Sequence, residues 1–258
     1  MKTDIQRQAL IYKAESNLLH EKIIVITGAG DGIGRAAALS YAKHGATVIL
    51  LGRTTEKLEQ TYDQIEALGY PQAVIYPLDL KVASEQDFQN MHEQLEQEFG
   101  ALQGLLHNAS ILGDRKPIAS TSTSRWSELM QVNVNAAFAI TQALLPLLEK
   151  ADDASIIFTS SGVGRKGRAY WGAYATSKFA VEGLMEVLAD ELENTSNIRA
   201  NSINPGATNT AMRRTAYPAE NPSKNPDPDE IMPAYLFLMG SDSKSVNGQK
   251  LNAQASKS

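Results

Sequence analysis

The segment that most constrains the fold is Thr27 to Gly34, Thr-Gly-Ala-Gly-Asp-Gly-Ile-Gly, which has four glycines in eight residues. Directly before it, residues 23–26 read Ile-Ile-Val-Ile, a β-branched run typical of a strand buried on both faces of a parallel sheet. Directly after it, a helix is predicted from Arg35 to His44. A buried strand, a glycine-rich turn and a helix in this order predict the first unit of an α/β sheet.

Strand and helix patterns alternate along the rest of the chain. Further strands are predicted at 47–51, 73–78, 102–106, 156–160, 198–203 and near 249–252. Helices are predicted at 54–68, after Ser84 (with Asp87 at capping-box spacing), at 124–149 with an interruption near Pro146, from about Tyr174, and at 229–239. This alternation implies parallel strands joined by right-handed crossovers. We therefore predict the α/β class, with a single Rossmann-type doubly wound parallel sheet of about seven strands and helices on both faces.

The predicted organisation is a polar lead-in over 1–20 and one catalytic domain over 21–258, because no linker or repeat marks an internal boundary. Within the domain, 205–230 carries five of the ten prolines and has no periodicity, which predicts an unusually long loop. Loops of this kind serve as lids, so 206–230 is a candidate substrate loop.

Composition excludes several classes of site. The chain has 258 residues and no cysteine, so disulfides, zinc–thiolate sites and cysteine nucleophiles are excluded, and no metal site is predicted. A net charge of −5 argues against nucleic acid or an anionic membrane as the main partner. The first twenty residues lack the apolar core of a signal peptide, and no apolar run approaches the ~18 residues of a spanning helix. A cytoplasmic protein is expected.

The glycine segment predicts a phosphate site. Gly28, Gly32 and Gly34 would expose backbone amides at the start of a helix, which suits a pyrophosphate. Ligands of an open parallel sheet bind at the carboxyl ends of its strands, where this segment falls. A dinucleotide is therefore expected, and the alternative is a tight turn without a ligand.

The end of the second strand discriminates between dinucleotides. An NAD enzyme usually has a carboxylate there for the ribose 2′-hydroxyl, whereas this chain has Gly52-Arg53 and no carboxylate until Glu56. A cation suits a 2′-phosphate, so NADP(H) is favoured over NAD(H). Asp31 weakly favours NAD(H), and the alternative for Arg53 is an ordinary surface charge.

A second polar cluster follows the strand predicted at 156–160. Tyr174 and Lys178 are four residues apart, so on a helix the phenol and the ammonium would project from one face. A nearby cation lowers the pKa of a phenol from ~10 towards neutrality. Tyr174 is thus a candidate proton donor or acceptor, and Ser161 a candidate to hold the reacting oxygen. The alternative is an ordinary pair on an amphipathic helix.

Spaced motifs resemble those of the short-chain dehydrogenases/reductases over roughly residues 20–252. In chain order they are Thr27-Gly28-x-x-x-Gly32-x-Gly34, Asp79, Asn108-Ala109, Asn133, Ser161, Tyr174-x-x-x-Lys178 and Pro205-Gly206. Within the family, segments such as 171–180 are similar to the bacterial YciK-like oxidoreductases. The resemblance implies hydride transfer between NADP(H) and a small carbonyl or alcohol substrate.

The resemblance also implies roles for individual residues. Tyr174 would exchange a proton with the substrate oxygen, while Lys178 would hold the nicotinamide ribose and lower the pKa of the phenol. Ser161, rather than its neighbour Ser160, would polarise the substrate. Asn133 would kink the long helix and hold a water that relays protons.

For the cofactor, the family implies that Asp79 meets the adenine ring and Asn108 supports the central strand. Pro205-Gly206 and Thr208 would face the nicotinamide. The complete predicted cofactor set is Gly28, Asp31, Gly32, Ile33, Gly34, Arg53, Asp79, Leu80, Asn108, Ala109, Tyr174, Lys178, Pro205, Gly206 and Thr208.

Two departures from the family pattern are His107 and Ser110, where Asn and Gly are common. A strand-end histidine with a satisfied hydrogen bond is favoured over an acid–base role for His107. Arg213-Arg214 could bind an anionic group, although solvated loop charges are the favoured interpretation. Family members are usually homodimers or homotetramers assembled through the helices at 124–149 and 174–193. A non-catalytic dinucleotide-binding regulator is the alternative function.

Overall fold

A computed structural model describes residues 2 to 255 and contains the predicted sheet of seven parallel strands. The strands are β1 (Ile23–Thr27), β2 (Thr47–Gly52), β3 (Val74–Pro77), β4 (Gly104–His107), β5 (Ala154–Thr159), β6 (Ile198–Asn204) and β7 (Lys250–Asn252). Their order is β3-β2-β1-β4-β5-β6-β7, so the sheet winds in opposite directions from β1 and β4. The predicted doubly wound architecture is confirmed, and its switch point lies between β1 and β4.

Helices cover both faces of the sheet. They are α1 (Lys2–Leu10), α2 (Gly32–Lys43), α3 (Thr55–Ala67), α4 (Glu85–Phe99), α5 (Thr123–Met130), α6 (Ala136–Glu149), α7 (Gly172–Leu192), α8 (Ala211–Ala216) and α9 (Met232–Met239). Side chains of β1 alternate between the faces: Ile24 and Ile26 enter one core with α2 and α9, and Val25 enters the other with α4, α6 and α7. Burial on both faces explains why residues 23–26 of β1 are all apolar.

The capping box predicted at the start of α4 is confirmed. The Ser84 hydroxyl accepts a hydrogen bond from the Asp87 amide, and the Asp87 carboxylate accepts one from the Ser84 amide. The N-terminal helix α1 packs beside β7, since the side chain of Gln6 donates to the backbone oxygen of Asn252 and accepts from its amide. These two hydrogen bonds use backbone groups of an edge strand that would otherwise face solvent.

The interruption predicted near Pro146 is wrong. Helix α6 continues through this proline to Glu149, and the break lies upstream, in a π-helical segment at Gln131–Asn135. A proline within a helix costs about 3 kcal/mol, but the last turns of α6 bury Leu144, Leu147 and Leu148 against the sheet, which offsets that cost.

The stretch predicted as a loop at 205–230 contains α8 and two short 3₁₀ turns, Pro222–Lys224 and Pro228–Ile231. The Thr210 hydroxyl caps α8 by accepting from the Arg213 amide at 3.1 Å. A six-residue helix spans fewer than two turns, so it leaves no hydrophobic period in the sequence.

Within residues 2–255, one helical stretch, Thr123–Glu149, is long and apolar enough to cross a membrane by length and composition alone. The sequence predicted no apolar run of that length, and the stretch reaches it because α5, the π segment and α6 join end to end. Its apolar side chains include Leu144 and Leu148, which are fully buried against the sheet, as in a core helix.

Candidate active site

A cleft of about 380 Å³ opens at the carboxyl ends of the strands, at the switch point between β1 and β4. The predicted site residues that line it are Gly28, Asp31, Gly32, Ile33, Arg53, Asp79, Leu80, Asn108, Ala109, Tyr174, Lys178 and Pro205. Five others do not line it: Gly34, Asn133, Ser161, Gly206 and Thr208. The dinucleotide region and the Tyr174 region, 140 residues apart in sequence, therefore share one cleft.

In the glycine segment, the end of β1, the start of α2 and the segment after β4 come into close backbone contact. Gly28 has φ +71°, and a Cβ there would lie 3.0 Å from the Cα of Ala109. A Cβ on Gly34 would lie 2.1 Å from the carbonyl oxygen of Gly28, so α2 packs directly on the end of β1. The Thr27 hydroxyl accepts hydrogen bonds from the amides of Asn108 and Ala109, both at 3.0 Å. Gly34 and Thr27 thus shape the cleft without lining it.

The charge of Asp31 is already balanced. Its carboxylate accepts from the Gly32 amide at 2.7 Å, which caps α2, and forms an ion pair with Lys57 at 2.6 Å. The hydrogen bond from Lys57 lowers the pKa of Asp31. Because this carboxylate has structural partners, its weak indication for NAD(H) is not supported by the geometry.

Arg53 lies directly after β2, on the wall of the cleft. Its guanidinium is exposed and has no hydrogen-bond or ion-pair partner within residues 2–255. Lys57, on the first turn of α3, lines the same wall. The sequence analysis missed Lys57, although a second cation four residues after Arg53 on a predicted helix was a usable signal.

Helix α7 carries the candidate proton donor and its cation. Gly172 begins the helix, so Tyr174 lies in its first turn and Lys178 in its second. The Lys178 ammonium donates to the carbonyl oxygen of Thr159 at 2.8 Å and lies 5.7 Å from the centre of the Tyr174 ring. Burial lowers the pKa of Lys178 to about 8, opposed by the negative charge of Glu182.

The pKa of Tyr174 is raised in the structure, not lowered as predicted. Burial raises the pKa of Tyr174 to about 12, and the hydroxyls of Ser161 and Ser110 only partly oppose that rise. The ammonium of Lys178 is directed to the Thr159 carbonyl, so it does not outweigh the loss of solvation around the phenol. At neutral pH the phenol therefore holds its proton, as an ordinary tyrosine does, and can donate it to a substrate.

Three serine hydroxyls surround this end of the cleft. The Ser161 hydroxyl interacts with the Tyr174 phenol and accepts from the Val163 amide at 3.4 Å. The hydroxyls of Ser160 and Ser110 are buried and make no hydrogen bond to any residue between 2 and 255, although Ser110 lies close enough to lower the pKa of the phenol. Buried hydroxyls are rarely left unbonded in proteins, so these two are available to a ligand.

Asn133 lies in the π segment, behind the cleft. Its side-chain oxygen accepts from the Ile111 amide at 2.8 Å, and its nitrogen donates to Ile111 O and to the Ser177 hydroxyl, both at 3.0 Å. These contacts join α7 to the segment after β4. A cavity of about 10 Å³, lined by Asn133, Lys178 and His107, adjoins it and has room for about one water.

His107 is a structural residue. Its Nε2 lies 2.8 Å from the Thr141 hydroxyl, which itself donates to Ala137 O, so Nε2 is the donor of the pair. Its ring stacks on Phe158 with centroids 4.7 Å apart, and burial lowers its pKa to about 3. The predicted hydrogen-bonded strand-end histidine is confirmed.

Thr208 and Gly206 lie beneath the cleft wall. The side chain of Gln254 donates to Pro205 O at 2.7 Å and to the Thr208 hydroxyl at 3.2 Å, and an added Cβ on Gly206 would meet this glutamine at 2.9 Å. Both therefore support Pro205 from behind. The cleft wall above them includes Thr210, Ala211 and Met212, at the start of α8.

The family model for short chain dehydrogenases matches residues 22–221 of this chain. The protein belongs to the short chain dehydrogenase family. It is 51% identical to the oxidoreductase YciK of Escherichia coli K12 over 94% of this chain and 96% of that protein. A short chain dehydrogenase from Pseudomonas syringae has 57% identity and a TM-score of 0.93, with 94% of this chain and 98% of that chain covered. Another, from E. coli CFT073 and complexed with NADPH, has 51% identity and a TM-score of 0.91, with coverages of 94% and 100%.

This short chain dehydrogenase has a cleft that fits a dinucleotide. The glycine backbone leaves no space for side chains at the start of α2, the Arg53 charge is unpaired among residues 2–255, and two buried hydroxyls are unbonded. The relatives are oxidoreductases, which gives no support to the alternative of a non-catalytic regulator. Among the residues described, no group of three or more His, Asp or Glu could hold a metal ion.

Proposed function

We propose that this protein is an NADP(H)-dependent carbonyl reductase that acts on a small carbonyl or alcohol compound through Tyr174, Lys178, Ser161 and Asn133. The observation that carries the proposal is the position of Tyr174: a phenol that holds its proton at neutral pH borders the glycine-rich cleft. The NADP(H) complexes of relatives add support.

Bound NADPH supplies the hydride, and the protein supplies orientation and the proton. Tyr174 donates its proton to the carbonyl oxygen of the substrate as negative charge develops there. Ser161 donates a hydrogen bond to the same oxygen, because its hydroxyl already interacts with the phenol. The positive charge of Lys178 stabilises the phenolate left after proton transfer.

A route for the returning proton lies behind the cleft. The cavity between Asn133 and Lys178 has room for about one water, which fits the proposed relay from solvent through Lys178 to Tyr174. The side chain of Asn133 bonds Ile111 and Ser177, and it would act by positioning that water and the start of α7. These two positioning roles would explain why a buried asparagine, whose side-chain oxygen and nitrogen are both hydrogen-bonded, lies near Tyr174 and Lys178.

Arg53→Ala is expected to weaken NADPH binding by about 10–100-fold, the range for losing one hydrogen bond to a charged group, and to leave NADH binding unchanged. The 2′-phosphate is the difference between the two nucleotides, and Arg53 is the unpaired cation beside the expected ribose site. Fluorescence titration of each nucleotide measures both affinities.

The matched control is Lys43→Ala, which removes an exposed cation at the far end of α2. Equal losses of NADPH and NADH affinity in Arg53→Ala would show that Arg53 does not read the 2′-phosphate.

The direct test of function is loss of NADPH absorbance in the presence of aliphatic, aromatic and keto-acid carbonyl compounds. Reduction of at least one class is expected, with slower oxidation of the matching alcohol at pH 7. NADPH that binds tightly but reduces none of the panel would contradict a carbonyl reductase.

Self-association is part of the proposal. Phe138 on α6 and Phe179 and Val187 on α7 are 46% to 57% exposed, on the two helices through which family members usually assemble. Burial of these side chains between copies would give a homodimer or homotetramer. A cytoplasmic location is proposed from the expected use of NADPH.

A further inference from the structure

We propose that Arg115 selects substrates that carry an anionic group, a carboxylate or a phosphate, beyond the carbonyl that is reduced. The inference rests on the proposed carbonyl reductase activity and adds the class of its substrate. It starts from the position of one arginine relative to the Tyr174 phenol.

Arg115 lies one aromatic ring away from the proton donor. Its guanidinium carbon is 4.7 Å from the ring centre of Trp171 and 4.7 Å from that of Tyr217. The Trp171 ring is in turn 5.8 Å from the ring of Tyr174. Neither Trp171 nor Arg115 lines the 380 Å³ cleft, so a substrate whose carbonyl oxygen meets the Tyr174 phenol would have to extend beyond that cleft, past Trp171, to meet the guanidinium.

The charge of Arg115 has no carboxylate partner among residues 2–255. One of its five N–H donors binds the carbonyl oxygen of Ala216, at the end of α8, and the structure records no hydrogen bond for Nε or Nη2. The neighbouring carboxylates are engaged elsewhere: Asp114 pairs with Lys116 at 3.0 Å, and Glu220 pairs with Arg213 at 2.6 Å. A guanidinium with free donors is the best matched side chain for a carboxylate or phosphate.

The surrounding segments carry an excess of positive charge in a chain whose net charge is −5. Segments 112–117, 162–171 and 206–221 contain seven basic residues and two acidic ones. In addition to Arg115, three of these cations have no carboxylate partner in the described part of the chain: Lys166, Arg168 and Arg214. A rim of one charge sign attracts a small anion from solution.

Arg213 is not the anion site. Its guanidinium makes two hydrogen bonds to the Glu220 carboxylate, at 2.6 and 2.7 Å, and lies over the Tyr217 ring. Arg214 binds the side-chain oxygen of Asn209 at 2.9 Å. The sequence pointed to this pair of arginines because they are adjacent, but the partners of Arg213 are within its own segment.

The wall between Tyr174 and Arg115 is apolar. Trp171, Ala216 and Val163 form a small buried cluster, against which Leu112 and Tyr217 pack. The expected substrate thus has a carbonyl at one end, an apolar body in contact with Trp171, and an anion at the other end.

The test compares kcat/KM for reduction of 4-formylbenzoate and its neutral methyl ester by wild type, Arg115→Gln and Arg214→Gln. Wild type is expected to prefer the anion, and Arg115→Gln to lower that preference by about tenfold or more, since charge-assisted hydrogen bonds are lost. Arg214→Gln removes one rim charge in α8 and is expected to lower the preference much less than Arg115→Gln does, and an equal loss would show that only the overall charge of the rim attracts the anion. Reduction of 4-formylphenyl phosphate distinguishes a phosphate-selective site from a carboxylate-selective one.

Two results would overturn the proposal. Wild type that reduces the ester as well as both anions has no anion selectivity. If Arg115→Gln slows acid and ester by the same factor, Arg115 only holds α8 in place.

A binding experiment separates this proposal from the proposed reaction. In a Trp126→Phe background, Trp171 is the remaining tryptophan, and its fluorescence reports on the adjacent guanidinium in the NADP⁺ complex. Saturable quenching by 4-formylbenzoate that is lost with Arg115→Gln supports the anion site even if no aldehyde is reduced, whereas equal quenching in both proteins contradicts it.

Discussion

Tyr174→Phe is expected to lower the rate of carbonyl reduction by ~10²–10⁴-fold, the usual contribution of a positioned proton donor, with NADPH affinity unchanged. The substitution removes only the hydroxyl, because the ring that packs 5.8 Å from Trp171 remains. Single-turnover oxidation of bound NADPH measures the chemical step, and nucleotide titration measures binding.

Tyr170→Phe is the matched control, since Tyr170 is 59% exposed and lies just before α7. It is expected to leave the rate unchanged. Because burial raises the pKa of Tyr174 to about 12, loss of the proton from the phenol should not lower the rate of reduction at any pH below ~10. Wild-type turnover by Tyr174→Phe would exclude the phenol as the proton donor.

Lys178→Met is expected to abolish most turnover and to make the protein more stable at pH 7. The charged ammonium is buried, with 3% of the residue exposed, and its pKa is lowered to about 8. The difference from an ordinary lysine pKa of ~10.4 corresponds to a cost of about 3 kcal/mol for the charged form. Lys178→Met also loses the hydrogen bond to Thr159 O, which reduces the expected gain in stability by about 1 kcal/mol.

The net expectation is a free energy of unfolding that rises by about 1–2 kcal/mol at pH 7, measured by urea unfolding. Since the folded pKa lies below the unfolded pKa, the cost in wild type is complete below pH 8 and disappears as pH rises towards ~10.4. The advantage of Lys178→Met should therefore shrink between pH 8 and 10. Turnover is expected to fall on the order of 10²-fold, because the phenolate loses its stabilising charge.

Lys244→Met provides the comparison, because this lysine is exposed and lies outside the cleft. Neither the free energy of unfolding nor the turnover of the Lys244→Met protein should differ from wild type. If Lys178→Met is less stable than wild type at pH 7, or if its advantage grows with pH, the buried charge does not oppose folding.

The strands and most of their boundaries could be predicted because their signals are local, whereas the order of the strands in the sheet was seen only in the structure. The β-branched runs of β1 and β2 mark strands buried on both faces, and the predicted bounds of β2 and β6 each differ from the structure by one residue at one end. The break in the long helix could not be located in this way. Pro146 is a strong local signal, but burial of the leucines around it keeps α6 intact, and the π segment depends on Asn133 meeting Ile111 and Ser177.

Residues that the sequence singled out by type and spacing lie together in the structure. Gly28, Arg53, Tyr174 and Lys178 line one cleft as expected. Lys57 and Arg115 were missed because their roles arise from contacts distant in sequence: Lys57 meets Asp31, and Arg115 lies between Trp171 and Tyr217.

The sequence by itself determined the α/β sheet, the position of the glycine turn, the cation after β2 and the helical spacing of Tyr174 and Lys178, since each depends on neighbouring residues. Only the tertiary structure decided the rise in the pKa of Tyr174, the pairing of Asp31 with Lys57 and the lack of a carboxylate partner for Arg115 among residues 2–255. A pKa and a free charge depend on solvation and on groups brought together from distant strands, so they exist only in the folded chain.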